Sequence, residues 1–223
     1  MIDRIRIVGM GRVGSAVAAR LRDRGLELTE DEAELVLLCV PDRAIAEVAR
    51  TIPPGPWIAH TSGATPLAAL DPHARRFALH PLQTFTRARG PEQLDGAYAA
   101  ISAETVEARE AGFWLARELA LEPFELRDGE RALYHAGAVV ASNFLVTLHR
   151  AAADLLEAAG APPEGLAPLM RRVIENGFEL TGPIERGDWE TVEAHLAAIR
   201  ERRPQLEPVY RTLADATAAL ALR

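Results

Sequence analysis

The first residues in the chain whose type and spacing can do chemistry are three glycines. Gly9, Gly11 and Gly14 lie in the run Gly9-Met10-Gly11-Arg12-Val13-Gly14, directly after the apolar segment Ile5 to Val8 and before an apolar stripe of Val13, Val17, Ala18 and Leu21. That placement, after a strand and opening a helix, is the dinucleotide fingerprint. Gly9 permits the tight turn, Gly11 lets bare backbone approach a pyrophosphate, and Gly14 lets the helix pack on the strand, while the free N–H groups of the helix start favour negative charge. Met10, Arg12 and Val13 complete the expected cofactor contacts, and a loop that keeps this shape without a ligand is the competing reading. A full fingerprint continues into a second strand that carries a ribose-binding residue about 20 positions on. Here only Gly25 to Ala33 precede the next apolar run. That length does not hold a strand, a loop and a return helix, because a parallel crossover takes a dozen residues or more. Glu27, Glu30 and Asp31 therefore read as a solvated turn and helix cap, and Arg12 as either a phosphate contact or a solvent-facing side chain.

Further chemistry is expected where other strands end. Ligands in open α/β sheets bind beyond the carboxyl ends of the strands. Val40-Pro41-Asp42, His60-Thr61-Ser62-Gly63 and His80-Pro81 all follow apolar strand-like runs. Val40, Pro41 and Asp42 are expected at the cofactor, and Ser62, Gly63 and His80 at a small-molecule substrate. An ordinary turn is the competing account of Ser62 and Gly63, against which the convergence of several strand ends favours the site, and His80 can instead fix the turn before Pro81. Farther on, Ala136 to Leu148 carries no charge, so this helix is expected to be buried against other helices or a second subunit. His135, Ser142 and Asn143 lie on one of its faces, at offsets of seven and eight, and must find partners or a ligand. The remaining histidines, His73, His149 and His195, have no ligand spacing, and no metal site is expected. Cys39, the single cysteine, reads as a buried strand thiol.

The elements that must position these residues alternate. Strands are predicted at Ile5–Val8, Glu34–Val40, Trp57–His60, Phe77–His80, Ala97–Ile101 and Pro123–Leu126, with helices at Val13–Arg24, Arg43–Thr51 and Glu104–Leu119. Such alternation predicts an α/β fold, an N-terminal Rossmann-type doubly wound parallel sheet. Beyond Asp128 only helices are predicted, over Glu130–Ala159, Leu166–Leu180, Trp189–Arg200 and Leu206–Leu222, broken at Gly160 to Pro163, Gly182-Pro183 and Pro204. The expected organisation is residues 1–127 as a dinucleotide-binding domain and residues 128–223 as an all-helical domain.

Composition narrows the classes. The 223 residues carry a net charge of -7 without a basic cluster longer than a pair, which argues against nucleic acid as a partner. Neither a signal-peptide pattern nor an uninterrupted apolar stretch of about 20 residues is found, so no membrane association and a cytoplasmic location are expected. All 25 basic side chains are arginine. Without lysine there is no Schiff base, no P-loop lysine and no lysine general acid.

Gly9 to Gly14, His60 to Gly63, His80-Pro81-Leu82-Gln83-Thr84-Phe85, Tyr134-His135 through Ser142-Asn143-Phe144-Leu145, Thr181-Gly182-Pro183 and Arg186-Gly187-Asp188 together resemble Rossmann-like proteins with the domain of unknown function DUF2520. The resemblance covers nearly the whole chain. It implies a 6-phosphogluconate dehydrogenase-like architecture, an NADP-dependent oxidoreductase without an established substrate, and a homodimer formed through the helical domain. Ketopantoate reductases of the same superfamily are similar in placing a lysine, followed four and eight residues later by asparagines, on the first helix of the second domain. Those positions are His135, Val139 and Asn143 here, which implies His135 as the proton donor to a carbonyl with Asn143 beside it, against a core-edge histidine satisfied by a carbonyl. The implied function is hydride transfer to or from a small carbonyl or hydroxy acid, ketopantoate-like acids first, with NAD or a deazaflavin as other carriers. The competing function is a non-catalytic dimeric binding module that has lost nicotinamide chemistry, which the short 25–33 region and the missing lysine favour.

Overall fold

The computed structural model describes residues 2–222, which divide into two compact units, one up to residue 142 and one from residue 143. The first unit is built on a seven-stranded sheet of β1 (Arg4–Val8), β2 (Glu27–Leu28), β3 (Leu35–Leu38), β4 (Trp57–His60), β5 (Arg76–Pro81), β6 (Tyr98–Ala103) and β7 (Glu122–Glu125), in the order β2-β1-β3-β4-β5-β6-β7. Helices α1 (Arg12–Asp23), α2 (Asp42–Thr51) and α3 (Val106–Glu118) connect them. The strands are apolar because helices cover both faces: Leu35, Leu37, Phe77 and Leu79 pack with Val17, Leu21 and Leu115 on one side, and Val36, Leu38 and Ile58 with Ile45 and Ala49 on the other.

Two features depart from the sequence expectation. The sheet is mixed, because β6 runs antiparallel to β5 and parallel to β7. The 3-10 turn Pro91–Leu94 lies in the return from β5 to β6, so this link has no full crossover helix. The region 25–33 also contains a strand after all. Glu27 and Leu28 pair with Arg4 and Ile5 of β1, and six residues lead from there to β3 at the far side of β1. A two-residue strand needs no return helix, which is how the short segment accommodates it. Glu30 and Glu32 of this connection pair with Arg6 and Arg4, and Glu34 accepts the Asp3 and Arg4 backbone N–H groups.

The first unit extends beyond residue 127 to take in α4 (Arg131–Val139). Arg131 is 1% exposed within it. Asp128, just ahead of α4, accepts the Leu67 N–H with both carboxylate oxygens, at 3.0 and 3.2 Å, and so ties the loop after β4 to the start of this helix. A π turn, Val140–Phe144, separates α4 from α5 (Leu145–Ala159). The second unit holds α5, α6 (Leu166–Glu175), α7 (Trp189–Arg202) and α8 (Glu207–Ala221), with Val192, Leu196 and Ala214 as its buried cluster. Asp188 caps α7 by accepting the Thr191 N–H, and Gly160 ends α5 in the left-handed conformation.

The uncharged stretch 136–148 is not buried within the chain: Val140, Phe144, Leu145, Val146 and Leu148 are all exposed. Among the described residues one helical run, Asp128–Ala159, is long and apolar enough to cross a membrane by length and composition. The run is not an uninterrupted apolar stretch, since Ser142, Asn143 and Thr147 lie within it.

The Asp128 clamp generates the first prediction. Asp128→Ala strands the Leu67 N–H and should lower stability by about 1–3 kcal/mol, read by urea unfolding, with Asp128→Asn recovering part of the loss through its remaining carbonyl oxygen. An unchanged midpoint for Asp128→Ala would show that the clamp carries no stability.

Candidate functional site

At the end of β1 the glycine turn has the shape a pyrophosphate needs. Gly9 has φ +99°, and a Cβ on it would lie 2.7 Å from the Cys39 carbonyl oxygen, so the turn is pressed against the end of β3. A Cβ on Gly14 would lie 1.9 Å from the Gly9 oxygen, which is why helix and turn can touch only here. Above Gly11 a Cβ would meet nothing within 4 Å. The first turn of α1 has no side-chain cap and no acidic residue, so its N–H groups and positive dipole end face open space. Val40 packs beside Gly9, and Pro41 precedes α2, which begins at Asp42. These residues fit a dinucleotide phosphate without rearrangement.

The ribose side does not follow the usual pattern. β2 stops level with Ile5, three residues before β1 ends at Val8, and so falls short of the glycine turn by about 10 Å at a strand's rise per residue. Of its acidic neighbours, Glu32 and Glu30 are engaged with Arg4 and Arg6, while Glu27 and Asp31 form no ion pair among the described residues.

A second cluster forms where β4 and β5 end against α4. His80 Nδ1 and the Tyr134 hydroxyl share a hydrogen bond of 2.7 Å, and the His80 and His135 rings meet edge to face at 5.9 Å between centroids. Gly63 fits between them because it has no side chain: a Cβ would lie 2.6 Å from His135 Cδ2 and 2.9 Å from His80 Nε2. Gly63, His80 and His135, expected from sequence to act at the site, are thus in mutual contact. Ser62 is beside them, but its hydroxyl is used within the turn, accepting the Ala64 and Thr65 N–H groups and bonding the Thr65 hydroxyl. Its backbone carbonyl accepts from Arg131. Ser142 donates to the Ala138 carbonyl at 2.6 Å, and the π turn breaks the 3.6-residue arithmetic that put it on the His135 face. Asn143 falls in the second unit, where its carbonyl accepts from Thr147.

Arg131, Tyr134 and His60 were not expected as site residues from sequence. Arg131 and Tyr134 precede His135 by four and one, so Arg131, Tyr134 and His135 share one face of α4. That spacing was the available signal. The Arg131 guanidinium donates to Ser102 Oγ at 2.9 Å and to the Ser62 carbonyl, and Ser102 in turn donates to the Leu126 carbonyl. It forms no ion pair among the described residues, and Asp42 and Asp128 act on it only at longer range. A permanent cation is therefore buried beneath the cluster. Burial, reinforced by the charge of Arg131, pushes His60 down to about 3. Burial, then His135 and Arg131, push His80 down to about 4. Burial lifts Tyr134 to about 12, so at neutral pH the phenol keeps its proton and His80 is uncharged.

Other candidates are structural. Cys39 is pushed up to about 12 by burial, which makes it a poor nucleophile. His73 is buried on the Ala49 carbonyl at 2.9 Å, and His195 shares a hydrogen bond with Tyr210 in the second unit. Among the described residues no group of three or more His, Cys, Asp or Glu gathers as a metal site would.

Comparison with known proteins places this geometry. The family model described as a domain of unknown function (DUF2520) matches residues 97–217. The Bacteroides fragilis protein BF3122, whose assignment as an NADP oxidoreductase is provisional in its own name, shares 22% identity at a TM-score of 0.81, over 98% of each chain. Thermotoga maritima TM1727 shares 23% at 0.77, over 98% of this chain and 100% of that one. A reductive aminase from Aspergillus terreus, solved with NADPH and ethyl levulinate, shares 19% at 0.67, over 98% and 94%. These likenesses show the Rossmann-like α/β fold. No curated protein matches the sequence.

The lowered values of His60 and His80 predict acid lability. Both bind fewer protons folded than unfolded between their lowered values and the ordinary 6.5, so stability is complete above pH 6.5 and falls as pH drops toward 4. Histidine ring NMR should find two residues still neutral at pH 5, and two rings titrating near 6.5 in their place would contradict the burial argument.

Proposed function

The chain belongs to the DUF2520 family, and we propose that it is an NADP-dependent oxidoreductase acting on a small carbonyl or hydroxy acid. The observation that carries this reading is the uncapped, unobstructed glycine turn of α1. It shares the carboxyl edge of one sheet with the His80, Tyr134 and His135 cluster, three strand spacings away, or about 14 Å. Structural neighbours named for NADP or solved with NADPH support the choice of cofactor. The bound nicotinamide supplies or accepts the hydride.

The chain's own residues supply the rest. His80 Nδ1 shares its hydrogen bond with the Tyr134 hydroxyl, and the other ring nitrogen, Nε2, faces Gly63 and His135. His135 is the proton donor to a carbonyl oxygen, and an imidazole is suited to that step near neutral pH. Arg131 touches no substrate, but its unpaired charge favours an acid anion or a developing alkoxide above the cluster. Ketopantoate-like acids are the first substrates to test. The shortened β2 favours a second reading, a binding module without hydride chemistry.

Titration of NADPH against tryptophan and cofactor fluorescence tests the proposal. Saturable binding is expected, weakened at least about tenfold by Gly11→Ala, whose methyl group fits the fold but occupies the phosphate's place. Absence of binding at millimolar NADPH would end the enzyme reading, and a visible chromophore in the purified protein would replace it with a flavin or deazaflavin carrier.

We also propose a homodimer through the helical unit. Val192, Leu196 and Ala214, with Ile184 and Tyr210 against them, are a small cluster for residues 143–223, while Phe144, Val146, Val173 and Ile174 lie exposed. A second copy covers such a face. Light scattering should report a dimer, and Val146→Glu with Ile174→Glu should give a monomer, whereas a monomeric parent chain would refute the assembly.

A further inference from the structure

A cavity of about 460 Å³ opens beside the glycine turn, between α1 and the segment 86–91 that follows β5. Met10, Gly11 and Ser15 line it from the start of α1, and Arg87 and Arg89 line it from the segment opposite. No acidic residue lines it. Arg87 forms no ion pair among the described residues, and Arg89 has only Glu92 at 3.8 Å, whose carboxylate already accepts the Gly90 N–H.

The wall that carries the two arginines is held from several sides. Gln93, 5% exposed, sits inside the turn: its Oε1 accepts the Thr86 N–H at 2.8 Å, and its Nε2 donates to the Arg89 and Gly90 carbonyls at 2.8 and 3.0 Å. Arg20 of α1 donates to the Pro91 carbonyl at 2.9 Å and pairs with Asp95, while Phe85 packs against the core. Two exposed guanidiniums are thereby presented across a gap from the uncapped first turn of α1. Without a carboxylate between them, they make the cavity electropositive.

The order of the strands decides which part of a dinucleotide would meet these charges. β2 lies on one side of β1, and β3, β4 and β5 follow on the other. A cofactor whose nicotinamide reaches the His80 and His135 cluster runs from the β2 side toward the β5 side, with its pyrophosphate over the start of α1 between them. The phosphate on the nicotinamide side is then the one turned toward the segment after β5. The glycine turn offers it only neutral N–H groups and a helix dipole, whereas a guanidinium fork matches phosphate oxygens in both charge and geometry.

We propose that Arg87 and Arg89 clamp the nicotinamide-side phosphate of the dinucleotide against the first turn of α1, so that the segment after β5 supplies the charge the glycine turn lacks. The inference rests on the cofactor reading above.

The test is calorimetric titration of the full chain with AMP, ADP and NADPH. The terminal phosphate of ADP stands in for the nicotinamide-side phosphate, and AMP lacks it. The parent chain should bind ADP over AMP by at least about tenfold, the worth of one charge-assisted contact. Arg87→Ala with Arg89→Ala should erase most of that ratio and weaken NADPH by a similar factor, while AMP keeps its parent affinity. Both side chains are exposed, so folding is not at stake. Equal loss for AMP and ADP would overturn the proposal and move the arginines to the adenosine-side phosphate. Unchanged ADP and NADPH affinities in the double variant would overturn it and leave the cofactor reading standing. If the parent chain binds none of the three, the cofactor reading fails and this one with it.

Discussion

One buried cation organises the chemistry of the first unit. Arg131 lies 1% exposed and holds the loop after β4 through the Ser62 carbonyl and β6 through Ser102. It does so without a carboxylate in contact among the described residues. Burying an unpaired charge is costly, and the structure offsets that cost with hydrogen bonds and the distant Asp42 and Asp128. The guanidinium lies one helical turn ahead of His135 on the same face of α4, so the residue that anchors the helix also sets the electrical environment of the imidazoles. Fold and site are therefore not separable at this position.

Much of this was legible in the sequence, for identifiable reasons. The glycine turn was, because each of its glycines answers a different steric demand and the order of demands fixes the order of residues. The strand ends at His60 and His80 were, because apolar runs that stop at polar residues mark the rim of a parallel sheet. Arg131 and Tyr134 were not recognised, since an arginine near a helix start and a tyrosine beside a histidine are common on surfaces. What distinguishes them is burial, which depends on Ser62 and Ser102, both distant in sequence. The small strand β2 was missed because two residues carry no periodicity, and its pairing with Arg4 and Ile5 is a tertiary fact. The antiparallel β6 was missed for a related reason, since strand direction is decided by whether the connection crosses the sheet.

The helical part was read correctly as helices but not in its packing. An uncharged helix face is expected to be buried, and here it is exposed over Phe144 to Leu148. Sequence indicates that such a face needs cover and does not say which surface provides it. The π turn at Val140–Phe144 shows a second limit, since helical offsets assume a constant residue count per turn.

The brevity of β2 has a consequence for how the chain coexists with its own copies. Above Ile5 the outer side of β1 has no paired strand, and an open strand margin is a template on which another polypeptide can add by backbone hydrogen bonding. Arg4 and Arg6, two positions apart and so on one face of β1, are bridged to Glu32 and Glu30. A strand arriving there would have to strip water from these charges before it could dock. Charged side chains beside a short edge strand are of the kind that disfavours such pairing.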